Sequence, residues 1–502
     1  MNVFKKNNIV SFIENPGIPL SYYILSFFAF LAIENFLEIF SDTAVVSFRL
    51  LPFSHRLFIA QGASIAIHFL HCSLWWIVVA LIFPIVFTCI TRENIDRTMR
   101  AALSFSWIVL ITPIVDLILS RGRGINIHYI YPESIADFLR MPQGLTPGEN
   151  LTAAIALILA FIYCLIKTRK ITKAIFGTSL ICLGVILAFL LPFLIEQITS
   201  VFQIGLESIT PILIIRLLVS VILIESLFIF YLKNKGYFLL ILKQTGPLKV
   251  LHFILIFILG MLLFRSNIGR FILENAGCFL LSLISITLGW AVATIFNNLE
   301  TQQIPQAIHK TIALGIFSLA LLCAISVNFT TLFFVLLGIG VSFVYCLPPL
   351  KLKRMPIFSK IFVSFGLLLA VILGWLFAGG EILEFPHIFS LYFLVFWSGC
   401  LNLIDLNAVQ KNHLKTLPAI FGEKRSKLFI SFVFLISYLL IPWLFLEKLL
   451  LLPALIFGLT QFYLINRKNY QERYILLTSL LGLIALTIWL NSFRSLFYSP
   501  SP

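Results

Sequence analysis

Runs of about twenty apolar residues follow one another from one end of this chain to the other, each parted from the next by a short break rich in charge, Gly, Pro or Asn. A helix of that length just crosses the roughly 30 Å of hydrocarbon in a bilayer. Packed soluble helices would need a polar outer face, and most of these runs have none. Of 502 residues, 60% are hydrophobic and 11% charged, whereas soluble domains carry about a quarter charged residues. The pattern predicts an all-α, polytopic integral membrane protein.

Fifteen spans can be marked: near 18–40, 66–90, 101–120, 151–167, 174–195 and 209–232, then near 249–264, 277–296, 311–327, 330–346, 360–379, 387–402, 427–446, 449–465 and 474–492. Short loops that stay in the cytoplasm retain Lys and Arg. With a cytoplasmic N-terminus, the inner connections hold 26 of the 36 basic residues and the outer ones 9, Arg216 falling inside a span. A missed helix would scramble this alternation from that point on, and it persists to Arg473. The expected location is therefore multi-pass in the inner, cytoplasmic membrane.

The net charge of +15 would suggest nucleic acid in a soluble protein. Here it is the sum of these loops, and no nucleic-acid partner is expected. Lys5 and Lys6 precede an apolar stretch that carries Glu34 and Glu38 and lacks an A-x-A-like cleavage site, so a retained first helix is expected rather than a signal peptide. The eight cysteines lie mostly inside or at the ends of apolar runs with no C-x-x-C pair, and they read as small packing residues. The basic stretch Lys233 to Lys249, with Gly236, Gly246 and Pro247, marks the expected boundary between a six-helix domain, 1–236, and a nine-helix domain, 237–502.

Two inner loops of the second domain stand out. From Tyr345 the chain reads Y-C-L-P-P-L-K-L-K-R. Paired prolines stop a helix, and three cations, Lys351, Lys353 and Arg354, follow within four residues. On physical grounds this is either a helix stop with a positive-inside cluster or an anion site. From Asn402 the chain reads N-L-I-D-L-N-A-V-Q-K-N-H-L-K-T-L-P. Asn402 and Asp405, three apart, share a helix face, where they are either solvated at the membrane edge or part of a site.

Y-C-L-P-P-L-K-L-K-R resembles the Y-s-x-P-P-x-r-x-K-R signature of the UbiA family of intramembrane prenyltransferases. N-L-I-D with Lys415, Thr416, Leu417, Pro418 and Gly422 resembles that family's second aspartate-rich motif and its trailing T-L-P-x-x-x-G. Asn297-Asn298-Leu299-Glu300-Thr301 stands where the family has its first motif, N-D-x-x-D-x-x-x-D, and Gly246-Pro247 where it has an Arg-Pro pair. The resemblance covers about residues 237–495. It implies transfer of an isoprenoid from a Mg²⁺-bound prenyl diphosphate to an acceptor at the cytoplasmic leaflet. Carried over residue by residue, it gives Asp405, Asn402 and Asn298 as catalytic, and Asp405, Glu300 and Asn298 as metal ligands. Lys351, Lys353, Arg354, Lys415, Tyr345 and Asn297 would bind the diphosphate.

The departures from the family pattern are large. Asn298, Thr301 and Pro305 replace the acids of the first motif, Glu300 is one position out of register, and Asn402 and Val409 replace two acids of the second. An amide oxygen can ligate Mg²⁺ but brings no charge, so a two-metal site is weakened. Two readings follow. One is an active transferase holding its diphosphate mainly by Lys and Arg. The other is a catalytically impaired scaffold that binds a prenyl or phospholipid, another anionic lipid, or a partner subunit. A transporter built from the two halves finds no internal repeat to support it. The acceptor, the chain length and any protein partner are not legible.

The first half resembles no family. Its candidates are Asp116, near Arg121 and Arg123 at a span end; His68 and His71, three apart; Glu34 and Glu38, four apart; and an outer loop with Tyr129, Tyr131, Glu133, Asp137 and Arg140. Asp116 is either functional or an interfacial residue paired with Arg121. The histidines read as a metal or proton site or as packing hydrogen-bonders. The two glutamates lie near the outer interface or one of them is neutral.

Overall fold

The computed structural model describes residues 12–41, 55–122, 146–201, 211–266, 268–297, 306–347, 355–397, 421–467 and 471–492, with residues 10, 350 and 352 standing singly. Among these residues all regular structure is helical, with no strand. Among the described residues, fourteen helical segments are long and apolar enough to cross a membrane. The fifteenth predicted span, 387–402, is described only to Trp397, as an α-helix His387–Tyr392 running into a π-helical turn Phe393–Trp397. Large apolar side chains such as Phe28, Ile158, Leu183, Phe333, Phe432 and Ile456 are exposed. Such a surface would associate in water; in lipid it faces its own solvent. The chain is an α-helical multi-pass membrane protein. Its contacts divide it into two compact units, residues 1–238 and 239–502.

The first unit comprises α1 (Leu20–Ser41), α2 (His55–Thr91), α3 (Ile95–Ser104), α4 (Ile111–Leu119), α5 (Pro147–Thr168), α6 (Ile171–Val201) and α7 (Pro211–Lys233). The third predicted span is two helices, α3 and α4, joined by a 3₁₀ turn Ser106–Leu110. It begins earlier than 101 because Asn94 caps α3, its side chain accepting from the Asp96 amide at 2.8 Å. A chain of ion pairs ties one end together. Glu14 meets Lys167 at 2.7 Å, Lys167 meets Glu93 at 3.2 Å, and Lys233 meets Asp96 at 2.8 Å. Tyr163 donates to Glu14 at 2.8 Å.

At the other end Asp116 departs from its expected pairing with Arg121. It is wholly buried and accepts a hydrogen bond from the Gly148 amide in the first turn of α5 at 2.8 Å, while Arg121 is exposed. A Cβ at Gly148 would collide with the Thr112 carbonyl, so glycine is what lets α4 and α5 approach closely enough for this cap. α5 also carries its own capping box, Thr146 with Glu149, and Pro147 in its first turn. Glu34 and Glu38 are both buried, and Trp76 donates to Glu34 at 3.0 Å. His71 is half-buried; the side chain of His68 and all of residues 123–145, including the outer-loop candidates, lie outside the described residues.

A short helix, α8 (Lys235–Thr245), occupies the stretch read as a break between domains. The second unit continues with α9 (Pro247–Phe264), α10 (Ile268–Glu274), α11 (Ala276–Asn297), α12 (Gln306–Val327), α13 (Phe329–Cys346) and α14 (Pro356–Phe377). After these come α15 (His387–Tyr392), α16 (Glu423–Leu444), α17 (Leu451–Asn466) and α18 (Glu472–Ser492). Prolines set several boundaries: Pro247 and Pro356 open α9 and α14, and α13 stops at Cys346 before the paired prolines. At the centre α9 and α14 cross in contact. A Cβ at Gly260 would collide with the Val371 carbonyl, and one at Gly374 with the Phe257 carbonyl. Around this crossing Phe257, Met261, Leu262 and Val371 are almost wholly buried.

Candidate functional site

Of the residues singled out for the site, the structure describes two. Asn297 is the exposed last residue of α11, and Tyr345 is the half-buried penultimate residue of α13. Asn298, Glu300, Lys351, Lys353, Arg354, Asn402, Asp405 and Lys415 lie outside the described residues. The helices that flank them are described, and their ends can be placed relative to one another.

The end of α11 lies beside the end of α13, where the Phe296 and Phe343 rings meet edge to face at 4.8 Å. It also lies beside the start of α9, because Trp290 donates to the Thr245 carbonyl just before that helix at 2.9 Å. Lys249, near the start of α9, pairs with Glu472, the first residue of α18, at 3.4 Å. Gln461 in α17 donates to the Ile475 carbonyl of α18 at 3.0 Å, and Asn466 at the end of α17 donates to Ser431 of α16 at 2.9 Å. One end of the unit thus gathers the ends of α11, α13 and α17 and the starts of α9 and α18. The described residues flanking the first motif and the double-proline segment are among them.

From this end a cavity of about 150 Å³ runs into the unit between α9, α11, α14, α15, α16 and α18. A water needs about 10–15 Å³ on the same measure, so the space takes roughly ten waters or an apolar chain of similar bulk. Lys249 and Glu472 stand at its charged end, both partly exposed. Deeper, its wall is Phe253, Leu367, Phe389, Phe434, Leu483, Leu486 and other apolar side chains. Tyr392 crosses from α15 to donate to the Ser437 carbonyl of α16 at 2.9 Å, which fixes one wall. His252, one turn beyond Lys249, is 7% exposed and lines the cavity.

Sequence reasoning used Lys249 only in the basic stretch that orients the chain and marks the domain boundary, and passed over His252. An ionisable residue within an apolar span was the available signal. Among the described residues no three His, Cys, Asp or Glu side chains are grouped to hold a metal ion.

Residues 299–484 match the profile of the UbiA prenyltransferase family. This segment is a UbiA prenyltransferase family domain. The matched residues run from the first-motif segment to within α18, and so include the walls of the cavity from α14 to α18. Among solved structures, the UbiA homolog from Archaeoglobus fulgidus bound to Cd²⁺ is 20% identical with a TM-score of 0.40, covering 50% of this chain and 98% of its own. The same homolog bound to GPP and Mg²⁺ is 19% identical with a TM-score of 0.41, covering 50% and 97%. Bound to DMAPP and Mg²⁺ it is 17% identical with a TM-score of 0.38, covering 50% and 99%. No curated protein matches the chain by sequence.

Proposed function

We propose that the UbiA domain binds a prenyl diphosphate and transfers its isoprenoid to an acceptor, with the phosphates at the gathered helix ends and the isoprenoid in the apolar cavity. The supporting observation is a cavity with a charged mouth and an apolar interior, at the end of the unit beside Asn297 and Tyr345. The basic bias of the connections at this end supports a cytoplasmic position in the inner membrane. The first 236 residues are read as a separate six-helix domain.

The chemistry follows from what the residue types can do. Lys351, Lys353, Arg354 and Lys415 neutralise the diphosphate through charge-assisted hydrogen bonds. Tyr345, Asn297, Asn298 and Asn402 complete its polar surround, and Asp405 supplies the one retained carboxylate. As the allylic C–O bond breaks, its electron pair leaves with the diphosphate, and fixed cations stabilise that growing charge more than they stabilise the ground state. The apolar wall keeps water from the allylic cation until the acceptor attacks. A single Mg²⁺ held by Asp405, Glu300 and Asn298 would add to the neutralising charge.

The replacement of acids by Asn298 and Asn402 favours a second reading, in which the domain binds a prenyl or other anionic lipid without turnover. Membranes containing the full chain, given radiolabelled geranyl diphosphate, are expected to release diphosphate and label a lipid-soluble product. Asp405→Asn should slow this by roughly a hundredfold, the loss typical of one electrostatic stabiliser. Saturable binding without release would support the second reading. Absence of both binding and release would refute the proposal.

A further inference from the structure

His252 lines the cavity, with one ring nitrogen engaged and the other buried without a partner. Nδ1 is 2.6 Å from the Leu248 carbonyl oxygen, one turn back along α9. A carbonyl oxygen can only accept, so Nδ1 carries the proton of this bond. In the neutral ring Nε2 then holds a lone pair, and it is a buried atom with no hydrogen-bond partner.

Four of the donors that line the cavity are engaged elsewhere. Trp290 donates to the Thr245 carbonyl, Tyr392 to the Ser437 carbonyl and Ser437 to the Val433 carbonyl. Lys249 is paired with Glu472. Within the apolar part of the wall, away from Glu472 at the charged end, His252 Nε2 is thus an acceptor without a donor, and a buried acceptor without a donor is unfavourable until something donates to it.

We infer that the cavity recognises an apolar molecule bearing one hydrogen-bond-donating head, a hydroxyl, phenol or amine, which docks on His252 Nε2. A diphosphate ester has no such donor in its ionised form, so this recognition point is distinct from the cationic surround assigned to the phosphates. The inference rests on the proposed function only in making the acceptor of the transfer one source of such a molecule. A membrane alcohol is the other.

The test compares geraniol with geranyl methyl ether, which has the same chain and no donor, by displacement of tritiated geraniol from the solubilised full chain. The wild type should prefer the alcohol about fivefold, the factor corresponding to a net hydrogen bond of about 1 kcal/mol. His252→Phe should abolish the preference, and His252→Gln, which keeps an acceptor, should retain part of it. A wild type indifferent to the two ligands, or a His252→Phe variant with the full preference, would overturn the inference. If His252→Phe does not fold, the wild-type ratio and His252→Gln still decide.

Added geranyl diphosphate separates the two sources: an acceptor is consumed to a prenylated product, and a resident alcohol is recovered unchanged. If geranyl diphosphate does not bind while the alcohol preference stands, the proposed function falls and this inference survives. The reverse result leaves the function and removes the inference.

Discussion

At the residue scale, Asp116 shows how a buried charge can be structural. A carboxylate inside a membrane unit is a functional candidate by default, yet this one accepts from a first-turn helix amide thirty-two residues later. Removing it leaves the Gly148 amide without its acceptor, so Asp116→Ala should lower the unfolding free energy in detergent by about 1–3 kcal/mol. Asp116→Asn keeps an acceptor oxygen and should recover most of that. Equal stability of the wild type and the Ala variant would show that the cap is not stabilising. The reason this role was not legible is physical: the acceptor and the amide belong to different helices, and local spacing favoured Arg121. His252 was missed for a related reason, since its open nitrogen is defined by the Leu248 carbonyl and by neighbours from other helices.

At the element scale, helix ends were legible and helix contacts were not. Paired prolines after Cys346 and Pro247 at the start of α9 act through their own backbone restriction, and the structure ends or begins helices there. The break within the third span and the short helix α8 were not read, although Pro113 stands in the first turn of α4 and Pro247 just after α8. The α9–α14 crossing depends on two glycines more than a hundred residues apart, and nothing local distinguishes them from any other glycine in a span. In membranes, where helices gain little from burying apolar surface against one another, such close approach is a main source of association. Gly260→Ala and Gly374→Ala should each cost about 1–3 kcal/mol through overpacking against backbone. Thermal unfolding in detergent checks this, with Gly277→Ala as a control, since nothing stands near a Cβ there. A Gly374→Ala variant as stable as the control would contradict the crossing.

At the scale of the whole molecule, the membrane class followed from apolar runs alone, and fourteen of the fifteen spans correspond to helices long enough to cross. The UbiA domain rests on two short motifs and a family profile over residues 299–484. The cavity was not legible, because its lining comes from six helices spread from Lys249 to Leu486, each reading as an ordinary apolar span. What unites these levels is an apolar space beneath a charged end. A photoactivatable diazirine analogue of geranyl diphosphate, crosslinked to the full chain and mapped by mass spectrometry, tests this most directly. The account predicts label on cavity residues such as Phe253, Phe434 and Leu483, suppressed by excess geranyl diphosphate. Label confined to lipid-facing side chains such as Phe333 and Phe432, and indifferent to competitor, would contradict it.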